Sequence, residues 1–245
     1  MAARLPGATL LGGRVHHAQL ADGHRTGIEP VLLAASIPAT QGARVLEGGT
    51  GSGAGLLCLA ARVPGVSGTG IERDAALAAL ARANFAANGF AALEVREADI
   101  AATAPAGPFD HAFANPPWHD PAGTRSADAR QEAARRGDPG LLALWAARLA
   151  SPLRPRGTLT FVLPAALLAE ALAALAAAGC GSPAVLPLWP REGRAARLLL
   201  LRGVKGGRAP CALLPGLVLH GPGTDYSAAA TAILRDAAPL LFAAR

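Results

Sequence analysis

Short aliphatic runs alternate along the chain with longer alanine- and leucine-rich segments in which apolar residues recur at helical spacing. This alternation is typical of successive strand–helix–strand units around a parallel sheet. The pattern therefore predicts a doubly wound α/β fold. The expected strands are residues 43–47, 66–72, 92–96, 109–114, 158–163, 184–188 and 197–202, with an added edge strand at 213–219. The expected helices are residues 54–61, 74–87, 141–150, 165–178 and 226–237.

The composition indicates one continuous apolar core. Hydrophobic residues make up 51% of the 245 residues and charged residues 16%, which excludes a disordered chain. We expect a single domain over residues 1–245, with 41–245 as the α/β core and 1–40 as a segment that flanks the site. The apolar stretch 158–179 contains a proline and a glutamate, so it predicts a buried strand and helix instead of a membrane span.

The cysteines and histidines show no pattern that would bind a metal or form a disulfide framework. Cys58, Cys180 and Cys211 are odd in number and far apart in the sequence. The six histidines have no ligand-like spacing to one another or to the cysteines. We therefore expect a protein of the reducing cytoplasm with no metal.

The net charge of +6 is unevenly distributed along the chain. Residues 121–210 contain 13 basic and 5 acidic residues. Two basic segments, 119–140 and 189–210, interrupt the strand–helix alternation, and the second has the pattern of an arginine-rich hairpin. Such segments suit a polyanion such as RNA. A solvated arginine surface without a partner accounts for the charge equally well.

Glycines are concentrated where the first strand of the core turns into its helix, over residues 45–53. Gly49, Gly51 and Gly53, with Thr50 between them, let the first helical amides approach a ligand without side-chain obstruction. This arrangement predicts a nucleotide-like cofactor. The same spacing also satisfies the fingerprint of NAD-binding proteins, so the turn by itself leaves the cofactor open.

Acidic residues follow three successive expected strands, at Glu47, Glu72 and Asp99. Glu47 suits an ammonium group better than a pyrophosphate, which a carboxylate would repel. Glu72 stands where a carboxylate accepts hydrogen bonds from ribose hydroxyls, as it also does in NAD enzymes, and Asp99 is placed to accept from an adenine amino group. Each acid alone would more often be a surface residue, but the three together favour S-adenosylmethionine.

The fourth expected strand ends in Asn115-Pro116-Pro117-Trp118. An exocyclic amine or carboxamide nitrogen is a poor nucleophile because its lone pair is delocalised. The Asn115 side-chain oxygen and the Pro116 backbone oxygen can accept hydrogen bonds from the two N–H groups of this nitrogen and so localise its lone pair toward a methyl donor. The prolines keep the turn rigid, and Trp118 can stack on a planar substrate. The tetrapeptide thus predicts methylation of a planar nitrogen, the alternative being a proline-rich turn around a buried tryptophan.

With these motifs the chain resembles class I S-adenosylmethionine-dependent methyltransferases that carry an Asn/Asp-Pro-Pro-aromatic motif. Among them it is most similar to the bacterial tRNA adenine-N6 methyltransferases that modify a valine tRNA. The resemblance covers nearly the whole chain and includes residues 19–33, where Arg25 and Glu29 would flank the methionine end of the cofactor. It implies a Rossmann-like methyltransferase fold, with a mainly parallel seven-stranded sheet and an antiparallel edge.

The resemblance also implies which residues form the site. The cofactor-binding residues that it implies are Arg25, Glu47, Gly49, Thr50, Gly51, Gly53, Glu72, Asp99 and Asn115. The catalytic residues that it implies are Asn115, Pro116, Pro117 and Trp118. The implied substrate is tRNA, bound through the basic segments 119–140 and 189–210.

Other acceptors and other protein classes remain open. Guanine-N2 methyltransferases of ribosomal RNA and protein glutamine methyltransferases carry a similar motif, but the latter also have a helical N-terminal domain for which the residues before the first strand are too few. An NAD-dependent oxidoreductase would account for the glycines but not for Glu47, Asp99 or the Asn-Pro-Pro-Trp turn. A non-catalytic RNA-binding scaffold would need neither the glycines nor the tetrapeptide.

Overall fold

The structure is a computed structural model that describes residues 4–21, 25–102, 105–117 and 140–242. Its strands are β1 Arg4–Leu10, β2 Val15–Leu20, β3 Arg44–Gly48, β4 Ser67–Glu72, β5 Leu93–Glu97, β6 Phe109–Ala114, β7 Leu153–Pro164, β8 Cys180–Trp189, β9 Leu198–Lys205, β10 Ala212–Leu213 and β11 Leu217–Val218. Its α-helices are α1 Glu29–Ser36, α2 Ala54–Arg62, α3 Ala75–Ala87, α4 Leu141–Ala150, α5 Leu168–Ala177 and α6 Ala228–Asp236.

Within the described residues, nine strands form one sheet in the order β10-β8-β9-β7-β6-β3-β4-β5, with β11 also paired to β8. The ladders from β7 to β5 are parallel, whereas β9 runs antiparallel to both β7 and β8. Parallel pairing aligns the carboxyl ends of these strands, so that Gly48 lies beside Ala114 and Glu72 beside Glu97. Ligands of open α/β sheets bind at this edge, which we call the carboxyl edge.

Helices cover both faces of the sheet, as a parallel sheet requires. One face carries α1, α2 and α3, and its core includes Val45 and Phe113. The other face carries α4 and α5, and its core includes Leu46 and Phe161. Adjacent residues such as Val45 and Leu46 enter different cores because side chains alternate across a strand. Both cores end at the carboxyl edge and hold its turns in place.

The expected mainly parallel α/β sheet with an antiparallel edge is confirmed, and the structure adds detail that the sequence pattern did not reveal. Seven long strands are joined by the two-residue strands β10 and β11. The antiparallel strand β9 is inserted between β7 and β8. No element was predicted within residues 1–40, yet this segment contains the antiparallel hairpin β1–β2 and the helix α1.

The expected basic hairpin over residues 189–210 is shorter in the structure than predicted. Its middle is β9, which crosses the sheet, so only residues 190–197 remain as a connection at the carboxyl edge. Arg202 lies on β9 and is 9% exposed. Its guanidinium donates to the Ser36 carbonyl oxygen and lies 4.0 Å from the centroid of the Phe242 ring. This arginine supports the packing of α1 and is not part of a basic surface.

His111 on β6 makes the stability of the fold sensitive to acid. The ring is half-buried, with Nδ1 2.9 Å from the hydroxyl oxygen of Thr158, and burial lowers its pKa to about 4. As the pH falls from about 6.5 to 4, the unfolded chain takes up a proton that the folded chain refuses, so the free energy of unfolding should fall. We expect His111→Asn to reduce this fall by roughly 2 kcal/mol, measured by urea unfolding across the pH range.

His16 provides the matched control for this measurement, because its side chain is exposed. His16→Asn should reproduce the acid-side slope of the wild type. If the His111→Asn and wild-type curves run parallel between pH 6.5 and 4, the buried ring at position 111 is not the source of the acid sensitivity.

Candidate cofactor and substrate site

The glycine-rich turn connects β3 to α2 at the carboxyl edge. Gly51 has a φ of +56°, and a Cβ atom added there would meet no atom within 4 Å. Gly53 has a φ of +90°, and an added Cβ would lie 2.5 Å from the Phe85 ring. Position 53 requires glycine because a side chain there would clash with Phe85. Position 51 favours glycine only because of its backbone conformation, and the space beside it is open to a ligand.

Glu47 is the last residue but one of β3, and it is buried at 5% exposure. Its Oε2 accepts hydrogen bonds from the Thr50 hydroxyl and from the Leu56 main-chain N–H at 3.2 Å. Burial raises its pKa to about 8, and the nearby carboxylate of Glu72 adds to the rise. In the part of the chain that the structure describes, no basic side chain forms an ion pair with it. Glu47 is therefore a buried carboxyl group without a counter-ion, and a cationic ligand would favour its ionised form.

Glu72 fixes the glycine turn to the end of β4. Its side chain is 8% exposed, with Oε2 accepting from the Gly51 N–H at 2.8 Å and Oε1 from the Asp74 N–H at 2.9 Å. The Thr50 N–H donates to the Ile71 carbonyl at 3.1 Å and so ties the same two segments together. A carboxylate oxygen accepts more than one hydrogen bond, which leaves Glu72 able to accept from ligand hydroxyls while it holds the turn.

Asp99 lies two residues beyond β5, the next strand along the carboxyl edge. The side chain is half-buried, and Oδ1 accepts from the Ala101 N–H at 2.9 Å. This bond orients the carboxylate in the short turn after the strand. The structure therefore places Glu47, Glu72 and Asp99 at or just beyond the carboxyl ends of three neighbouring parallel strands, in the order β3, β4 and β5.

The Asn-Pro-Pro turn begins directly beside the glycine turn. Asn115 follows Ala114, the last residue of β6, and Ala114 is the register partner of Gly48. Asn115 is half-buried, Pro116 is buried and Pro117 is exposed. Buried neighbours and fixed proline torsions hold the main chain of this turn.

Some predicted site residues lie apart from this cluster or outside the structure. Trp118 and the basic segment 119–139 lie outside the described residues. Arg25 is exposed, and within the described residues no ion pair joins it to the three acids. The neighbouring Thr26 N–H donates to the Gln19 side chain on β2 at 2.9 Å, which places this segment beside the hairpin.

Sequence reasoning missed two polar residues that contact Ser52 in the glycine turn. His17 on β2 is fully buried with Nε2 2.8 Å from the Ser52 hydroxyl oxygen. Asn84 on α3 is 3% exposed and donates to the Ser52 carbonyl oxygen at 2.9 Å. The signal that could have revealed them is an asparagine inside a predicted helix, where this residue is disfavoured unless its amide has a specific partner.

The comparisons with known proteins agree with this geometry. Residues 28–137 match the family model of the methyltransferase small domain. A solved structure from Agrobacterium tumefaciens, described as a predicted O-methyltransferase, is 23% identical with a TM-score of 0.73 over 87% of this chain and 98% of that chain. A SAM-dependent O-methyltransferase from Thermotoga maritima is 20% identical with a TM-score of 0.56, over 76% and 69% of the two chains. No curated protein matches the chain. The fold is the Rossmann-like methyltransferase fold.

Two further observations concern only the described part of the chain. None of its helices is long and apolar enough to span a membrane. None of its groups of His, Cys, Asp and Glu brings three side chains together in a way that could hold a metal ion.

The buried carboxyl of Glu47 should make the protein without ligand less stable as the pH rises. Its pKa of about 8 in the folded chain exceeds the ordinary value of 4.5. Between these values the folded chain holds a proton that the unfolded chain has lost, so the free energy of unfolding falls from pH 5 to pH 8. We expect Glu47→Gln to remove a fall on the order of 3 kcal/mol, measured by urea unfolding at several pH values.

The exposed Glu97 on β5 offers a matched control, since Glu97→Gln should leave the slope between pH 5 and pH 8 unchanged. A Glu47→Gln slope equal to that of the wild type would show that the carboxyl at position 47 does not titrate in this range.

Proposed function

We propose that this protein is an S-adenosylmethionine-dependent methyltransferase that methylates the exocyclic N6 amine of adenine in tRNA. One observation carries the proposal: the register of Gly48 with Ala114 sets the glycine turn and the Asn-Pro-Pro turn side by side at the carboxyl edge. The match of residues 28–137 to the methyltransferase small domain supports the methyltransferase activity in this proposal. In this proposal the chain acts as a single domain in the cytoplasm and uses no metal.

Four of the described residues fit different groups of S-adenosylmethionine. Glu47 provides a buried carboxyl for an ammonium group. Glu72 and Asp99 provide acceptors for ribose hydroxyls and for an adenine amino group, and Gly51 leaves open space at the turn. When bound, the cofactor supplies an electrophilic methyl group on a sulfonium. NAD fits less well, because its pyrophosphate would lie near the uncompensated carboxyl of Glu47.

The Asn-Pro-Pro turn supplies the acceptors that the amine requires. The Asn115 Oδ1 and the Pro116 carbonyl oxygen each accept a hydrogen bond from one N–H group of the exocyclic nitrogen. These two hydrogen bonds draw the lone pair of the nitrogen out of the ring system. The nitrogen becomes acidic once it is methylated and loses its proton to water. Trp118 would stack on the base. The arrangement activates the nitrogen by hydrogen bonds alone and needs no general base before transfer.

Removal of the Asn115 acceptor should slow methyl transfer without a comparable loss of cofactor affinity. We expect Asn115→Ala to lower kcat by roughly 100-fold or more, the loss typical of one preorganised hydrogen-bonding group that acts on the reacting atoms. Asn115→Asp keeps an acceptor oxygen and should retain more activity than Asn115→Ala. An Asn115→Ala enzyme with unchanged kcat would instead support a non-catalytic role for the turn.

Among the described residues, we propose that the exposed arginines near the carboxyl edge contact the RNA. Arg194 and Arg197 lie in the 190–197 connection and are exposed. Arg191 donates to the carbonyl oxygens of Gly221 and Gly223 and thus stabilises a neighbouring loop. We propose this connection as a docking surface for the phosphate backbone. The other predicted basic segment, 119–140, lies outside the described residues except for its last residue.

Neutralising these two arginines should weaken tRNA binding and its dependence on salt. We expect Arg194→Ala/Arg197→Ala to reduce the slope of log K against log salt by up to about 2, because each lost phosphate contact removes about one unit. Arg208→Ala is the matched control, since Arg208 is exposed but follows β9 at the opposite edge. Equal salt slopes in both variants would contradict docking at the carboxyl edge.

The decisive experiment for the proposed function uses isotopically labelled S-adenosylmethionine with bulk tRNA and rRNA, followed by nucleoside mass spectrometry. Labelled N6-methyladenosine in tRNA is the expected product. Label only in methylguanosine would keep the reaction but change the target base from adenine to guanine. No label in either RNA would contradict an RNA substrate and point to a protein acceptor. Calorimetric binding of NAD in preference to S-adenosylmethionine would overturn the proposal.

A further inference from the structure

The outer edge of the N-terminal hairpin is paired with a helix instead of another strand. One edge of β2 pairs with β1, and the other presents the main-chain groups of His16 and Ala18. Asn88, the residue that caps the C-terminus of α3, accepts from the His16 N–H at 2.9 Å and donates to the His16 carbonyl at 2.7 Å. Asn84, one helical turn earlier, accepts from the Ala18 N–H and donates to the Ala18 carbonyl, both at 3.0 Å. Two side-chain amides thus satisfy an otherwise unpaired strand edge.

The spacing of this pairing follows from the geometry of the two elements. Residues two apart on a strand are separated by about 6.7 Å, and residues four apart on a helix by about 6 Å along the axis. Asn84 and Asn88 therefore reach His16 and Ala18 in register. The two asparagines make equivalent contacts to β2, so any difference between them must arise from their remaining N–H group.

That remaining N–H group distinguishes the two asparagines. In Asn88 it donates to the main-chain carbonyl of Asn84 at 2.8 Å, back onto the last turn of α3. In Asn84 it donates to the carbonyl of Ser52 at 2.9 Å, in the glycine turn. His17, from the same strand, places Nε2 2.8 Å from the Ser52 hydroxyl oxygen. Ser52 is consequently held through both its main chain and its side chain by groups associated with the hairpin.

These contacts fix the peptide planes on which the cofactor turn depends. The peptide between Ser52 and Gly53 is held at both ends, by Asn84 at its carbonyl and by the Thr50 carbonyl at its N–H, 2.9 Å away. The peptide between Thr50 and Gly51 is held by Glu72 at its N–H. The intervening Gly51–Ser52 peptide lies between these two restrained planes, in a stretch where glycine would otherwise allow many conformations.

We propose that Asn84 is a positioning residue that couples the N-terminal hairpin to cofactor binding through the carbonyl of Ser52. This inference rests on the proposed function only in that the ligand of the glycine turn is S-adenosylmethionine. Hairpin docking restricts the turn to the binding conformation, and bound cofactor in return stabilises the docked hairpin, because coupling between two sites is reciprocal.

The test compares Asn84→Ala with Asn88→Ala in the full chain. Both variants lose the two hydrogen bonds to β2, but only Asn84→Ala loses the bond to Ser52. Calorimetry with S-adenosylmethionine and with S-adenosylhomocysteine should give a Kd about five- to tenfold higher for Asn84→Ala, and within about twofold of the wild type for Asn88→Ala. Urea unfolding of both variants separates this effect from a general loss of stability.

Hydrogen exchange of the wild-type protein supplies a second measurement that requires no variant. Saturating cofactor should slow exchange of the Ala18 amide, because that N–H is bonded to Asn84 and opens only when the hairpin detaches.

The outcomes keep this inference separate from the proposed function. A wild-type protein that binds neither S-adenosylmethionine nor S-adenosylhomocysteine would refute the proposed function itself. A wild-type protein that binds them while its Ala18 exchange stays unchanged would refute the coupling alone. Equal Kd values for the two asparagine variants would also refute it, and would reduce Asn84 to a structural clamp for the hairpin.

Discussion

The parallel ladder between β3 and β6 is the constraint on which the candidate site depends. Pairing of Gly48 with Ala114 makes two strands end at the same level, so that the turns following them are neighbours. Gly48 and Ala114 are 66 positions apart in the sequence, and only the sheet brings them together. A slip of the ladder by one residue would send the side chains of β6 to the opposite face of the sheet. The chemistry proposed for the edge is therefore a consequence of strand register.

A second constraint is the buried carboxyl of Glu47, whose ionisation lowers the stability of the fold in the absence of a counter-ion. Hydrogen bonds from Thr50 and Leu56 compensate part of its desolvation, but no cation does so within the described residues. An acid in such a position costs stability when it ionises without a partner. In the proposed function, the ammonium group of S-adenosylmethionine would remove this cost and would thereby gain affinity. Gly55 permits the arrangement, because a Cβ there would lie 2.1 Å from the Glu47 carboxyl oxygen.

Local sequence patterns predicted the core of the fold because its elements carry their own signals. The strand at 109–114 coincides with β6, and Asp74 caps α3 where the helix was expected. The hairpin β1–β2 was missed because its partner is not local: Asn84 and Asn88 follow β2 by more than 60 residues. Arg202 was counted as surface charge because nothing near it in sequence shows the Ser36 carbonyl or the Phe242 ring that surround it. The sequence thus predicted what periodicity encodes and failed where distant polar groups meet.

The same reasoning explains why the glycine turn needs support from outside its own loop. Glycines give the turn the torsions that a close cofactor approach requires, and they also leave it the largest conformational entropy to lose. Glu72 restrains one side of the turn and Asn84 the other, each through a single main-chain group. Because Asn84 also carries the edge of β2, rigidity at the turn and attachment of the hairpin arise from one side chain. The hairpin β1–β2, for which the sequence pattern predicted no element, is thus linked through Asn84 to the glycine turn.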